Sequence, residues 1–214
     1  LGDVLRLWQG LGYPRRARNL QAAARVIVEQ HDGLTPSTLD ELLALPGIGP
    51  YTARAVLAFA FESDVAVVDT NIARVLARFH SRKLKLREAQ QLADDWIPAG
   101  ESWLWNQALM DLGATVCKPQ PLCDECPLLD RCSWRGTGDD PSVGSAGVSV
   151  AQARFEGSDR QARGRLIKQL GECAVPIHAV AEIMDRPSAT AERLVANLVD
   201  EGLVIRQHGE LLLP

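Results

Sequence analysis

The chain has 214 residues, 46% hydrophobic and 23% charged, with a formal charge of −4 from 23 basic and 27 acidic residues. These are ordinary values for a soluble globular protein, with chain enough for one large domain or two small ones. No apolar run approaches the ~20 residues a bilayer-spanning helix needs, no secretory leader is visible, and the net charge gives no global pull toward nucleic acid. The chain starts at Leu1 inside a helical pattern, LGDVLRLW, and reads as a fragment of a cytoplasmic protein.

From residue 3 to about 116 the pattern predicts helix almost throughout. ARNLQAAARVIVEQ, PSTLDELLAL, YTARAVLAFAF, NIARVLARFH and REAQQLADDWI place apolar residues at helical spacing. Turn signals fall at Asp32-Gly33, Pro46 to Pro50 and Pro98 to Gly100. A cysteine loop follows over 117–134, and then 135–150, rich in Gly, Ser and Asp, has the composition of a linker. Residues 151–214 read as a separate small unit. Helices are expected over RQARGRLIKQLGE, VPIHAVAEIM and SATAERLVANLVDEG, with a hairpin from LVIR to ELLLP around His208-Gly209. Three helices and a terminal hairpin make a winged-helix pattern, nearly balanced in charge.

Charge is unevenly spread. Arg74, Arg78, Arg82, Lys83, Lys85 and Arg87 follow one another with no acidic residue between, and Arg15, Arg16, Arg18 and Arg25 form a second stripe. Two solvated helix faces or two nucleic-acid contacts account equally well for this.

Several motifs carry chemistry. In LPGIGPYTA, Pro46 stops one helix and Pro50 suits the first turn of the next. Gly47 and Gly49 let the backbone approach a ligand with its N–H groups outward, so Gly47, Ile48 and Gly49 suit a phosphate; a plain helix corner is the simpler alternative. In VAVVDTNIARV, Asp69 precedes a helix. It is an N-cap at the least. A carboxylate fixed at a helix N-terminus beside a pocket also stabilises a sugar cation as a glycosidic bond breaks. Asn71 orients it or meets substrate. The spacing C-x5-C-x2-C-x5-C at Cys117, Cys123, Cys126 and Cys132 fits four thiolate ligands, for zinc or for a 4Fe–4S cluster, and spacing alone leaves these two open. Cys173 lies outside the set and is expected to be a buried thiol. Leu11 and Tyr13, in WQGLGYPRRARNL, are either core or wedges into a base stack.

In order, W-Q-G-L-G-Y, R-A-R-N-L, L-P-G-I-G-P-Y-T-A, V-D-T-N-I-A-R-V, N-Q-A-L-M-D-L-G-A-T-V-C and C-D-E-C-P-L resemble the helix-hairpin-helix DNA glycosylases of the endonuclease III superfamily, in their adenine-specific branch. The resemblance covers about residues 3–134. It implies an all-α, two-lobed fold with the helix-hairpin-helix at 38–61, a 4Fe–4S lobe, and the winged-helix-like α+β unit appended. It also implies a bacterial, nucleoid-associated monomer acting on mismatched double-stranded DNA, with no membrane partner. Asp69 matches the catalytic aspartate, Gly47 to Gly49 the phosphate-binding hairpin, and the four cysteines the cluster ligands. Tyr13 and Leu11 match positions around the base opposite adenine. Tyr51 stands where bifunctional lyases carry a nucleophilic Lys, and a phenol forms no Schiff base, so a monofunctional glycosylase is implied. The expected reaction removes adenine mispaired with 8-oxoguanine or guanine.

Three departures stand out. The family's proton-donating glutamate matches a segment upstream of residue 1, so the chain as given is expected to excise little. The first cysteine gap is one residue shorter than usual. A short tail replaces the larger lesion-inspecting domain. The competing readings are a thymine-mismatch or oxidised-pyrimidine glycosylase, a non-catalytic DNA-binding iron–sulfur protein, and a zinc protein.

Overall fold

The computed structural model describes residues 1–148 and 154–214; the end of the expected linker (149–150) and the start of the expected tail unit (151–153) lie outside the described residues. Ten α-helices and a three-stranded sheet are found among the described residues. The helices are α1 (Gly2–Leu7), α2 (Pro14–Gln30), α3 (Leu39–Ala44), α4 (Pro50–Ala60), α5 (Thr70–Phe79), α6 (Leu86–Trp96), α7 (Ser102–Thr115), α8 (Asp159–Glu172), α9 (Val180–Met184) and α10 (Ser188–Asp200). The strands are β1 (Val175–Pro176), β2 (Ile205–Gln207) and β3 (Glu210–Leu212). None of the helices is long and apolar enough to cross a membrane. The expected all-α fold with a small C-terminal α+β unit is the observed one.

The chain divides into two compact units. Residues 1–35 and 45–47 form one with the tail, and residues 36–44 and 48–148 form the other. The tail therefore does not stand alone, as its composition suggested. Leu5 of α1 and Ala17 of α2 lie in one core with Leu166, Leu170, Leu198, Leu203 and Leu211. Glu201 adds a polar tie. Its buried carboxylate takes Arg15 at 2.7 Å and Arg163 at 2.5 Å, and its carbonyl accepts from Arg18. Burial acts to raise the Glu201 pKa, but the two guanidinium bonds hold it below the usual carboxylate range.

The tail's sheet has the order β1-β3-β2, all antiparallel. His208 and Gly209 both have positive φ (50° and 82°), the conformation of a two-residue hairpin turn whose twist matches the strands. The expected helix over VPIHAVAEIM is shorter than predicted, because Val175 and Pro176 pair with β3 and leave only Val180–Met184 α-helical. A two-residue strand ending in Pro leaves no periodicity in the sequence. Cys173, expected to be buried, is exposed just past the last turn of α8.

In the other unit the core surrounds α5, where every residue from Ile72 to Arg78 is buried. Helices α4, α6 and α7 pack on it or on one another. The segment read as a linker is fastened here. Ser142 and Ser145 are buried, Ala146 N–H donates to the Leu84 carbonyl at 2.9 Å, and Val148 packs on the core. The Ser145 hydroxyl accepts from Leu84 N–H at 3.1 Å and donates to the Pro141 carbonyl at 2.8 Å. Small polar residues chosen for hydrogen bonding look like a flexible linker in composition alone. Ser145→Ala leaves the Leu84 N–H without that acceptor, and urea unfolding is expected to show a loss of about 1–3 kcal/mol.

Candidate active site

Helices α3 and α4 form the predicted hairpin. Gly47 has φ 74°, and a Cβ there would overlap the Asn19 side chain, so two independent reasons demand glycine. Gly49 is the N-cap of α4, with Pro50 at the first helical position and no side-chain cap on the first turn. Backbone N–H groups at that turn are thus left for a ligand. Ile48 is half-buried between the two glycines.

Asp69 is the N-cap of α5. Its Oδ1 accepts from Ile72 N–H at 2.7 Å and its Oδ2 from Asn71 Nδ2 at 3.0 Å. Both carboxylate oxygens are thereby fixed, and both keep further acceptor capacity. The extended Val65–Val68 segment before it is held by α7. Asn106 Oδ1 accepts from Val67 N–H at 2.9 Å, Asn106 Nδ2 donates to the Val65 carbonyl at 2.9 Å, and the Ser102 hydroxyl donates to the same carbonyl at 2.9 Å. From α4, Arg54 donates to Asp94 at 2.8 Å and to the Ala66 carbonyl at 3.3 Å. Tyr51, also on α4, is half exposed, and its pKa is pushed up by burial first and by the charge of Asp69 second. The phenol therefore stays protonated within electrostatic reach of the carboxylate.

Two of the basic residues read as surface charge serve a different purpose. Arg74 and Arg78 are 6% and 1% exposed. Neither a solvated face nor a DNA contact is available to them. Arg74 Nη2 donates to Asn71 Oδ1 at 2.8 Å and to the Gly113 carbonyl at 2.6 Å, and its Nε donates to the Cys117 carbonyl at 2.7 Å. Arg78 donates to the carbonyls of Cys117 (3.1 Å), Lys118 (2.8 Å) and Pro119 (3.1 Å), and pairs with Asp140 at 2.6 Å. Its guanidinium also lies 4.9 Å from the Trp134 ring centre. Burial acts to lower the Arg78 pKa, but the bonds to Asp140 and Cys117 carry it above the usual value. Gly113 matters here too, since a Cβ on it would come within 2.6 Å of Asn71.

All four cysteines of the loop line one cavity of about 30 Å³ together with Arg78 and Trp134, and no carboxylate lines it. Burial pushes the Cys117 thiol up, against the pull of Arg78. Burial and the charges of the other three sulfurs push Cys123 up. A Cβ at Gly136 would sit 2.8 Å from the Cys123 sulfur. Among the described residues no three His, Cys, Asp or Glu side chains stand close enough to hold a single ion.

In the other unit, Trp8 Nε1 donates to the Gly12 carbonyl at 2.9 Å, and Gly10, Gly12 and Tyr13 all have positive φ. This coil pushes Leu11 and Tyr13 outward, 65% and 56% exposed, so neither is core.

The helix pair α3–α4 with its glycine corner defines the chain as a helix-hairpin-helix protein. A helix-hairpin-helix motif is matched over residues 30–59. The chain is 41% identical over 226 residues to an adenine DNA glycosylase of Mycobacterium tuberculosis, covering 99% of this chain and 72% of the relative. It is 40% identical over 210 residues to an adenine DNA glycosylase of Mycolicibacterium smegmatis, covering 94% and 70%. An endonuclease III structure trapped as a DNA covalent intermediate superimposes with TM-score 0.53 at 32% identity, over 59% of this chain and 61% of that one. The chain belongs to the adenine DNA glycosylase family.

Sequence reasoning singled out Asp69, Asn71, the glycines and the cysteines. It missed Asn106, Arg74 and Arg78, although two arginines four apart in an otherwise apolar helix signal a buried polar network. Asp140 gives a pH test. Burial acts to raise its pKa, but the bonds from Arg78 and Ser142 hold it down at about 2, below the ordinary 3.8. Its contribution is present above the ordinary value and is lost as pH falls through 3.8 toward 2. Chemical unfolding at graded pH should show roughly 2 kcal/mol lost across that window, and Asp140→Asn should flatten it.

Proposed function

We propose that this protein is a monofunctional base-excision repair glycosylase that hydrolyses the N-glycosidic bond of adenine mispaired with 8-oxoguanine or guanine in double-stranded DNA. It acts as a monomer. Family membership supports the substrate, and one observation carries the chemistry: both oxygens of Asp69 are fixed by donors from α5. As the bond from C1′ to adenine breaks, its electron pair leaves with the base, which takes up a proton. Positive charge develops on the sugar, and the ionised Asp69 stabilises it where it forms. Water then adds at C1′, loses a proton, and leaves an abasic site. Gly47, Ile48 and Gly49 hold the sugar–phosphate chain through backbone N–H groups, and the exposed Leu11 and Tyr13 wedge beside the opposite base. Tyr51 is a neutral phenol and supplies no amine, so no strand cleavage through a Schiff base is expected.

Membership of the adenine DNA glycosylase family favours a 4Fe–4S cluster over zinc at the cysteine centre. Here four sulfurs line a common cavity with no carboxylate in its wall. An all-thiolate set beside a buried guanidinium suits a negatively charged centre. Cys117, Cys123, Cys126 and Cys132 would hold it. Bound, it cross-links the loop through four thiolates, and the hydrolysis itself requires no electron transfer.

Asp69→Asn in the intact protein should lower single-turnover excision on an adenine:8-oxoguanine duplex by roughly a hundredfold or more while duplex affinity is kept. A variant that excises like its parent would refute the assignment, and equal excision of thymine from thymine:guanine duplexes would move the substrate. Metal analysis of anaerobically purified protein should find about four irons per chain, and zinc in their place would remove the cluster.

A further inference from the structure

The unit built from residues 1–35, 45–47 and the tail carries a cavity of about 540 Å³ that, apart from Tyr13 at its edge, the chemistry above does not use. Arg15 and Arg16 at the start of α2, and Arg160 and Arg163 on α8, line it, and no acidic residue does. Glu201, which does not line the cavity, pairs with Arg15 and Arg163 while leaving the Arg15 side chain 63% exposed. Arg15 is therefore held in place yet offered outward, Arg163 is held and one-quarter exposed, and Arg16 is exposed at the rim. Two aromatic rings complete the lining, Tyr13 and Phe155, each more than half exposed.

The same wall contains Gly164, in the middle of α8. A glycine inside a helix is destabilising relative to alanine and normally has a packing reason. Here none is present: a Cβ at Gly164 would meet nothing within 4 Å among the described residues. A second cavity of about 330 Å³ shares Gly164 and Phe155 with the first. Open space above a mid-helix glycine, ringed by guanidinium groups and flat rings, is space for an anionic, planar ligand.

By contrast, the helix that a winged-helix pattern nominates for DNA is poorly suited. On α10, Glu192 and Asp200 are unfavourable to phosphate, and Arg193 is paired with Asp159 at 2.8 Å. We infer that the tail contacts DNA through the α2–α8 cavity, which holds one unstacked nucleotide of the bound DNA, its phosphate on the arginines and its base on Phe155. Its volume admits a nucleotide, and arginines with an exposed ring are the usual platform for an unstacked strand. The inference takes its ligand from the glycosylase reading but assigns that ligand to residues outside the catalytic unit.

The test uses the intact protein and an adenine:8-oxoguanine duplex, with equilibrium affinity measured over a range of salt. Arg16→Gln with Arg160→Gln should weaken binding roughly tenfold or more and lower the slope of log affinity against log salt by about two. Phe155→Ala should weaken it about fivefold or more. Gly164→Ala should raise the thermal midpoint and yet weaken binding severalfold, a combination a structural role does not give. Arg206→Gln on β2 should bind like the parent. Parent-like affinity in the arginine pair and in Gly164→Ala overturns the inference, and so does loss confined to Arg206→Gln, which would move the contact to the wing. Adenine excision by the parent on the same duplex separates the two readings. Excision with unaffected cavity variants removes only the cavity, whereas cavity-dependent binding without excision removes only the glycosylase.

Discussion

The unit built around α5 depends on two arginines buried in that helix. Arg74 and Arg78 spend their donors on backbone carbonyls at the mouth of the cysteine loop, and both reach the carbonyl of Cys117. Burying a guanidinium is costly unless its donors are matched, and here carbonyls, the Asn71 amide and Asp140 match them. The same helix carries Asp69 at its first turn. A single rigid rod thus joins the carboxylate to the loop that presents the sulfurs. The path is Asp69 to Asn71, Asn71 to Arg74, and Arg74 to Cys117, every step a hydrogen bond of 3.0 Å or less.

Several buried polar groups inside this unit support a piece of backbone that has no helix or sheet to support it. Asn106 and Ser102 hold the extended stretch before Asp69, Ser145 holds Leu84, and Arg78 holds residues 117–119. The other unit works differently. It is built mainly on a leucine-rich core shared by α1, α2 and the tail, with the Glu201 tie among its polar contacts. That division of labour fits an arrangement in which fine positioning is needed beside the carboxylate and bulk rigidity elsewhere.

Much of the fold was legible because helical periodicity is dense and the breaks carry their own chemistry. Asp32-Gly33, Gly47 and His208-Gly209 all adopt the left-handed geometry their residue types foretell. The motif residues were legible for the same reason: each needs a particular residue type. What composition hid was tertiary. Ser142 and Ser145 look like linker residues until Leu84 is placed beside them. Arg74 and Arg78 look like surface charge until the cysteine loop folds over α5. The tail looked independent because its partner, residues 1–35, lies more than a hundred positions away in the chain.

The close approach at Gly113 has a consequence for how this enzyme can change. Helix α7 lies so near α5 that even one methyl group at that position would collide with Asn71. Asn71 is also the middle link between the carboxylate and Arg74. A substitution at Gly113 would register first as a displaced Asn71 and a misaimed Asp69 carboxylate, and only secondarily as looser packing. Attempts to engineer activity by swapping residues around the reactive groups would thus meet a silent constraint on the opposite helix, at a residue with no side chain of its own.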